Sequence, residues 1–339
     1  MALKIGMIGA GGVAKVHALE YDENKETELI AIADIDDKAK EEFVRTFSVK
    51  KVVSDYREIL KDTSIDVIDI CLPHFLHKEV TVAAFKAGKD VILEKPIAST
   101  LDDADEMIET AAREGRQFFV ALNQRFLPAH QKLKEMIEQG DCGKPFLALG
   151  IIIGDELTRM NRRDNWKGSW DKAGGGALID TGMHIIDLMH YFFGIPKTVN
   201  CDFGRFVVEH ENKGDDNVVV ILKYDDMIAN VVVTYSAISD NWSEKKDIYL
   251  TNASLHVISE AEKPLYKIEN KGEPHYIDVP HDTNWWVYSV RRGIAHFIDC
   301  VINNREPLVK PEDARMALHT ILRAYESARA DSFHAMERI

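Results

Sequence analysis

The sequence predicts an α/β protein in two parts. A doubly wound parallel sheet is expected over residues 1–122, and an α+β domain with a mostly antiparallel open sheet over residues 123–339. Three observations carry this expectation. In the first third, short apolar, β-branched-rich runs alternate with segments of helical spacing, as a parallel sheet covered on both faces requires. After Arg125 the alternation stops and strand-like runs follow one another. The length of 339 residues suits two domains of about 100–200 residues each.

Strands of the first part are expected at residues 3–8, 28–33, 66–71, 90–93 and 117–122, with helices at 13–21, 37–47, 77–87 and 101–113. Gly88 and Gly115 stand where the third and fourth helices must stop. The second part opens with a helix over 128–139 and a strand over 144–153. A polar stretch, 154–176, has little apolar periodicity, and a helix over 178–193 ends at Gly194-Ile195-Pro196. Strand-like runs follow at 198–209, 217–224, 227–236, 247–250 and 254–258. Turn-forming pairs, Lys213-Gly214 and Asp225-Asp226, separate some of them as in a meander. Two helices close the chain at 286–303 and 311–330, with Pro311 in a first-turn position. The last is expected to pack back toward the first domain.

Hydrophobic residues make up 45% and charged residues 29%, ordinary for a globular chain. The formal net charge of −14 repels phosphate backbones and acidic head groups, which argues against nucleic-acid and membrane-surface roles. No apolar run approaches the roughly 18 residues of a membrane helix. The first residues lack a basic leader region and are read as a strand, not a signal peptide. Cys71, Cys142, Cys201 and Cys300 lie far apart with no CxxC, which fits a reducing, cytoplasmic setting. The histidines and methionines are scattered and predict no metal site.

The first strand runs into Gly9-Ala10-Gly11-Gly12-Val13-Ala14 and then a helix. This is the G-x-G-x-x-A of a Rossmann dinucleotide site in its required context. Gly9 permits the tight turn, Gly11 and Gly12 let a pyrophosphate approach the backbone, and the N–H groups from Val13 onward aim at it. Glycines also end strands for no chemical reason, but Asp34 ends the second strand 20 residues after Ala14. A carboxylate there takes the ribose hydroxyls and repels a 2′-phosphate, and Asp36 and Asp37 add negative charge. NAD is therefore the expected cofactor, with NADP as the alternative.

Glu94-Lys95-Pro96 follows the 90–93 strand, and Lys95 would lie in the crevice where ligands bind. Farther on comes Gly174-Gly175-Gly176-Ala177-Leu178-Ile179-Asp180-Thr181-Gly182-Met183-His184-Ile185-Ile186-Asp187. On an α-helix Asp180, His184 and Asp187 are i, i+4 and i+7 and share one face, while Ile179 and Ile186 turn inward. Glycines beside that face leave room for a polar substrate. Asp180 raises the His184 pKa and the helix N-terminus lowers it, leaving a general acid/base near neutrality. The bland alternative is a solvated helix face. Asp/His spacing of this kind without a third ligand is a weak zinc signal.

The chain resembles, nearly end to end, the glucose–fructose oxidoreductase / inositol dehydrogenase / rhizopine-catabolism family. The resemblance rests on the 9–14 turn with His17 behind it, and on Cys71-Leu72-Pro73-His74-Phe75-Leu76-His77. It extends through Glu94-Lys95-Pro96, Asn123-Gln124-Arg125-Phe126 and the 174–187 run to Pro307-Leu308-Val309 and Glu312-Asp313-Ala314. It implies NAD(P)-dependent oxidation of a secondary or anomeric hydroxyl on a sugar, sugar derivative or cyclitol. It also implies a homodimer or homotetramer built on the second domain's sheet.

Position by position, Lys95 would contact the reacting hydroxyl and the nicotinamide ribose, across a bond to Pro96 that is often cis. His184 matches the acid/base and Asp180 the carboxylate beside it. Leu72, Pro73 and His77 match the loop along the cofactor, and Asn123 a residue near the nicotinamide. Glu94 belongs to the same cofactor-side motif. Arg125, Trp166 and Asp187 are expected at the substrate. Lys167 stands where many sugar-active members keep Arg, and 154–163 matches no member confidently. Competing readings are a redox-neutral, NAD-using glycosidase and a catalytically silent NAD(P)-binding sensor.

Overall fold

The computed structural model describes residues 2–162, 165–208, 214–238 and 242–330. Residues 163 and 209, the ends of two ranges above, and Lys213 lie outside the described residues. In chain order the first elements are β1 (Leu3–Ile8), α1 (Gly12–Glu23), β2 (Thr27–Ala33), α2 (Asp37–Thr46), β3 (Lys51–Val53) and α3 (Arg57–Leu60). Then come β4 (Val67–Ile70), α4 (His77–Lys86), β5 (Asp90–Leu93), α5 (Leu101–Glu114), β6 (Phe118–Val120) and α6 (Pro128–Gln139). The middle of the chain holds β7 (Pro145–Ile153), α7 (Leu157–Met160), α8 (Trp170–Ala173), α9 (Met183–Phe193), β8 (Thr198–Gly204) and β9 (Asn217–Lys223). The last elements are β10 (Ile228–Thr234), β11 (Ser243–Leu250), β12 (Ala253–Ile258), β13 (Leu265–Glu269), β14 (His275–Tyr276), α10 (Trp285–Asn303) and α11 (Pro311–Arg329).

Two compact units result. Residues up to Leu127 join Asn284–Met316 in the first; Pro128–Thr283 and the described residues from Ala317 form the second. In the first unit the strand order is β3-β2-β1-β4-β5-β6, and the pairings are parallel. Ile5, Met7, Ile32, Val67, Ile68, Ile70 and Val91–Leu93 are buried, because crossover helices cover both faces. The order reverses between β1 and β4, where such sheets bind ligands beyond their carboxyl ends.

The sequence reading put 284–316 in the second domain, but this segment packs within the first unit. Val290, Gly293, Ile294 and Phe297 form a buried stripe on α10. Phe297 stacks on Phe119 at 5.3 Å, and Arg291 ion-pairs with Glu20 and Glu23 of α1 at 3.2 and 2.7 Å. Arg315 of α11 ion-pairs with Asp105 of α5.

The second unit carries the order β14-β13-β12-β11-β7-β10-β9-β8, antiparallel except for β7 beside β10. One face buries Ala148, Ile152, Val220, Val231 and Ile248, while Val219, Ile221 and Ile228 are exposed on alternate positions and Phe146 is exposed near the start of β7. α9 lies close on the buried face: a Cβ on Gly150 of β7 would meet Ile185 at 2.2 Å. No helix among the described residues is long and apolar enough to cross a membrane. β3, β13 and β14 have no counterpart in the sequence reading. They are short or lie at a sheet edge with mostly half-exposed side chains, so no apolar run marks them.

Candidate active site

Gly9 follows β1 with φ +102°. A Cβ there would lie 2.2 Å from the Cys71 carbonyl oxygen, so only glycine lets β1 leave the sheet against the end of β4. Gly11 and Gly12 face open space, with nothing within 4 Å of an added Cβ. Val13 follows in the first turn of α1, which has no side-chain cap and no acid. Its N–H groups are therefore available to an anion. Asp34, just past β2, accepts from the Ala10 N–H at 2.7 Å and the Asp36 N–H at 2.8 Å. Each carboxylate oxygen keeps lone-pair capacity for a hydroxyl donor. Ile35 beside it is 90% exposed, an apolar surface that the sequence reading passed over. These residues fit a dinucleotide.

Behind the turn, β4 and the end of β5 hold a buried polar cluster. The His17 ring is fully buried, with Nδ1 2.9 Å from Asp69 and Nε2 3.1 Å from Glu94. Tyr21 donates to Asp69 at 2.7 Å. Burial would lower the His17 pKa, but Asp69, with Cys71 adding, holds it well above the usual range. Burial, reinforced by Asp69, pushes the Cys71 thiol up to about 12. His17, Asp69 and Cys71 form a grouping with metal-ligand side chains, yet it is closed by its own hydrogen bonds and the thiol stays protonated.

The Lys95–Pro96 bond is cis. Leu72 and Pro73 are partly buried, and the His77 ring contacts the Leu72 and Pro96 carbonyl oxygens at 2.9 and 2.8 Å. Burial lowers the His77 pKa, the two carbonyls pulling back. Asn123 is buried and donates to Ser289 of α10. Arg125 is buried too, and pairs with Asp313 of α11 at 3.2 Å, a structural role the sequence reading did not include.

In the second unit the 178–193 helix is not uniformly α-helical. Residues Leu178–Gly182 form a π turn, and the α-helix starts at Met183. The i, i+4 relation of Asp180 to His184 is therefore not that of a regular α-helix, and the solvated-face alternative fails because Asp180, His184 and Asp187 are all buried. Asp180 accepts from Tyr235 at 2.9 Å and from Lys167 at 3.0 and 3.1 Å. Arg159 lies at 3.7 Å. Arg159 also pairs with Glu156 at 2.7 Å, whose pKa burial raises against the pull of Arg159. Trp166 begins a short 3₁₀ turn, and the Lys167 ammonium stands 5.8 Å from its ring centre.

The glycines before Asp180 do not clear a substrate floor. A Cβ on Gly176 would meet the Asp215 carbonyl oxygen at 2.1 Å, and one on Gly175 the Tyr325 hydroxyl at 2.3 Å. They serve close packing. Asp215 accepts from the Gly176 and Leu178 N–H groups at 2.8 and 2.9 Å and from Tyr325 at 2.7 Å. It thus holds the start of the π turn.

Residues 3–122 match the model of an oxidoreductase family with an NAD-binding Rossmann fold, and residues 134–335 match that family's C-terminal alpha/beta domain. The chain belongs to this family. Myo-inositol 2-dehydrogenase of Thermotoga maritima is 26% identical over 321 residues, 93% of each chain. Mouse trans-1,2-dihydrobenzene-1,2-diol dehydrogenase is 32% identical over 227 residues, 66% of each. A solved levoglucosan dehydrogenase in complex with NADH shares the fold, with a TM-score of 0.89 at 23% identity over 98% of both chains. Around Asp180 stand Lys167, Tyr235 and Arg159, which sequence reasoning did not place there. Lys167 drew notice as a departure from Arg. Tyr235 gave no signal, since its distance from Asp180 in the sequence conceals the contact.

Proposed function

We propose that this oxidoreductase oxidises a secondary or anomeric hydroxyl of a sugar, sugar derivative or cyclitol, with NAD preferred over NADP. The observation that carries the reading is the buried Asp180 carboxylate, held by Tyr235 and Lys167, four residues before the buried His184. A buried imidazole following a fixed carboxylate is equipped to take a hydroxyl proton. Lys95 would stabilise the alkoxide that forms. Trp166 and Asp187 would meet the remaining hydroxyls. Gly9, Gly11, Gly12, Val13, Asp34, Leu72, Pro73, His77, Glu94 and Asn123 would hold the cofactor. When bound, NAD supplies the hydride acceptor. Asp34, with Asp36 and Asp37 next to it, favours NAD by opposing a 2′-phosphate.

The exposed apolar residues Phe146, Val219, Ile221 and Ile228 of the second sheet support assembly into a homodimer or homotetramer. Four free, buried cysteines support a reducing, cytoplasmic setting.

A panel of sugars, cyclitols and sugar acids, followed by NADH formation with NAD and then NADP, tests the reading. At least one polyol should reduce NAD. His184→Ala should lower turnover on it about 10²–10⁴-fold, the range of general acid/base catalysis, and leave NADH affinity nearly intact. Normal turnover in that variant refutes the acid/base assignment.

A further inference from the structure

Lys95 lies between two residues that buried imidazoles hold. On one side Glu94 meets His17 Nε2 at 3.1 Å. On the other, the Pro96 carbonyl oxygen meets His77 Nδ1 at 2.8 Å. The main chain is fixed as well, through the Glu94 N–H donating to the Ile70 carbonyl at 3.0 Å.

The two rings differ in what faces them. His77 contacts two carbonyl oxygens, whereas His17 contacts two carboxylates, Asp69 through Nδ1 and Glu94 through Nε2. A neutral imidazole has one N–H and only the imidazolium donates from both nitrogens, so each ring faces more acceptors than a neutral ring can serve. Only at His17 are those acceptors carboxylates, whose negative charge favours the second proton. The groups around His17 are Asp69 and Cys71 from β4 and its end, Tyr21 from its own helix, and Glu94 beyond β5. Tyr21 donates to Asp69, so the second ring proton is the link that reaches Glu94. Two carboxylates, one imidazolium and the Lys95 ammonium add to zero charge. Without the ring, Glu94 would lose the His17 contact while standing next to Lys95 in the chain.

We propose that His17 is a doubly protonated bridge from Asp69 to Glu94, and that it is a positioning residue for Lys95. The second half rests on the catalytic role given to Lys95 above; the first does not.

Ring-nitrogen NMR on the ¹⁵N-labelled full chain tests the bridge, with the His17 signals identified by their loss in His17→Gln. Both ring nitrogens should carry protons at pH 7 and at pH 8, and Glu94→Gln should move the ring's titration to lower pH. A neutral His17 ring at pH 7 overturns the proposal. In kinetics, His17→Gln should lower turnover about 100-fold, the cost of a small misplacement, with a smaller loss of NADH affinity. Adding Glu94→Gln to His17→Gln should recover part of the loss, because a carboxylate that the imidazolium faced is gone. Unchanged turnover in a His17→Gln variant that still binds NADH overturns the positioning role. If the wild-type chain oxidises no polyol, the dehydrogenase reading fails, and the ring spectrum still decides the bridge.

Discussion

The end of β5 and the π turn before α9 carry Lys95 and Asp180, two of the residues proposed for the chemistry, and they are built in different ways. Lys95 stands where a parallel strand ends, and its neighbours are fixed by buried histidines on α1 and α4. Asp180 stands in an irregular turn and owes its setting to Lys167 and Tyr235, both distant in the sequence. A strand end is a position that the fold supplies, and local pattern reveals it. A side chain held by remote partners is supplied by tertiary packing alone.

Perturbing one region while reading out the other sharpens this contrast. The largest effect is expected from Gly176→Ala, whose Cβ would meet the Asp215 carbonyl oxygen at 2.1 Å. Overpacking against backbone should cost about 3 kcal/mol. Thermal melting should show the loss, and NADH affinity should persist if the first unit stands on its own. Asp34→Ala is the opposite case. It should weaken NADH binding about tenfold or more, the worth of a hydrogen bond to a charged group, and narrow the preference for NAD over NADP in parallel titrations. Tyr235→Phe removes one donor to Asp180 and the partner of Thr181, and should lower turnover by up to about tenfold and stability by about 1 kcal/mol.

The smallest effect is a pH dependence of stability. The folded His17 ring keeps its proton at pH values where the unfolded ring, with a pKa near 6.5, has released it. Its stabilisation is therefore full below about pH 6.5 and is lost as pH rises through the raised folded value. Denaturant melts of wild type and His17→Gln should converge toward alkaline pH. A gap that widens there would contradict the sign.

Legibility in the sequence followed the same division. β1, β5 and α6 have the bounds expected from apolar runs and stop signals. The glycine turn was readable because Gly9 satisfies a backbone demand that no other residue meets. α10 packs with the first unit although it lies far along the chain, because its amphipathic pattern shows that it buries a face but not which neighbour receives it. The π turn was invisible because spacing rules assume regular hydrogen bonding. Lys167 and Arg159 sit in a segment without apolar periodicity, so no pattern linked them to Asp180.

The π turn gives α9 an unusual sensitivity to chain length. An α-helix advances about 100° per residue, at 3.6 residues per turn, so losing a single residue from Leu178–Gly182 would swing everything before it by more than a quarter turn. The repaired helix would be more regular, yet its carboxylate would point away from the tyrosine and lysine that now hold it. In this segment a deletion is a rotation, and a substitution at the same place is a far gentler change.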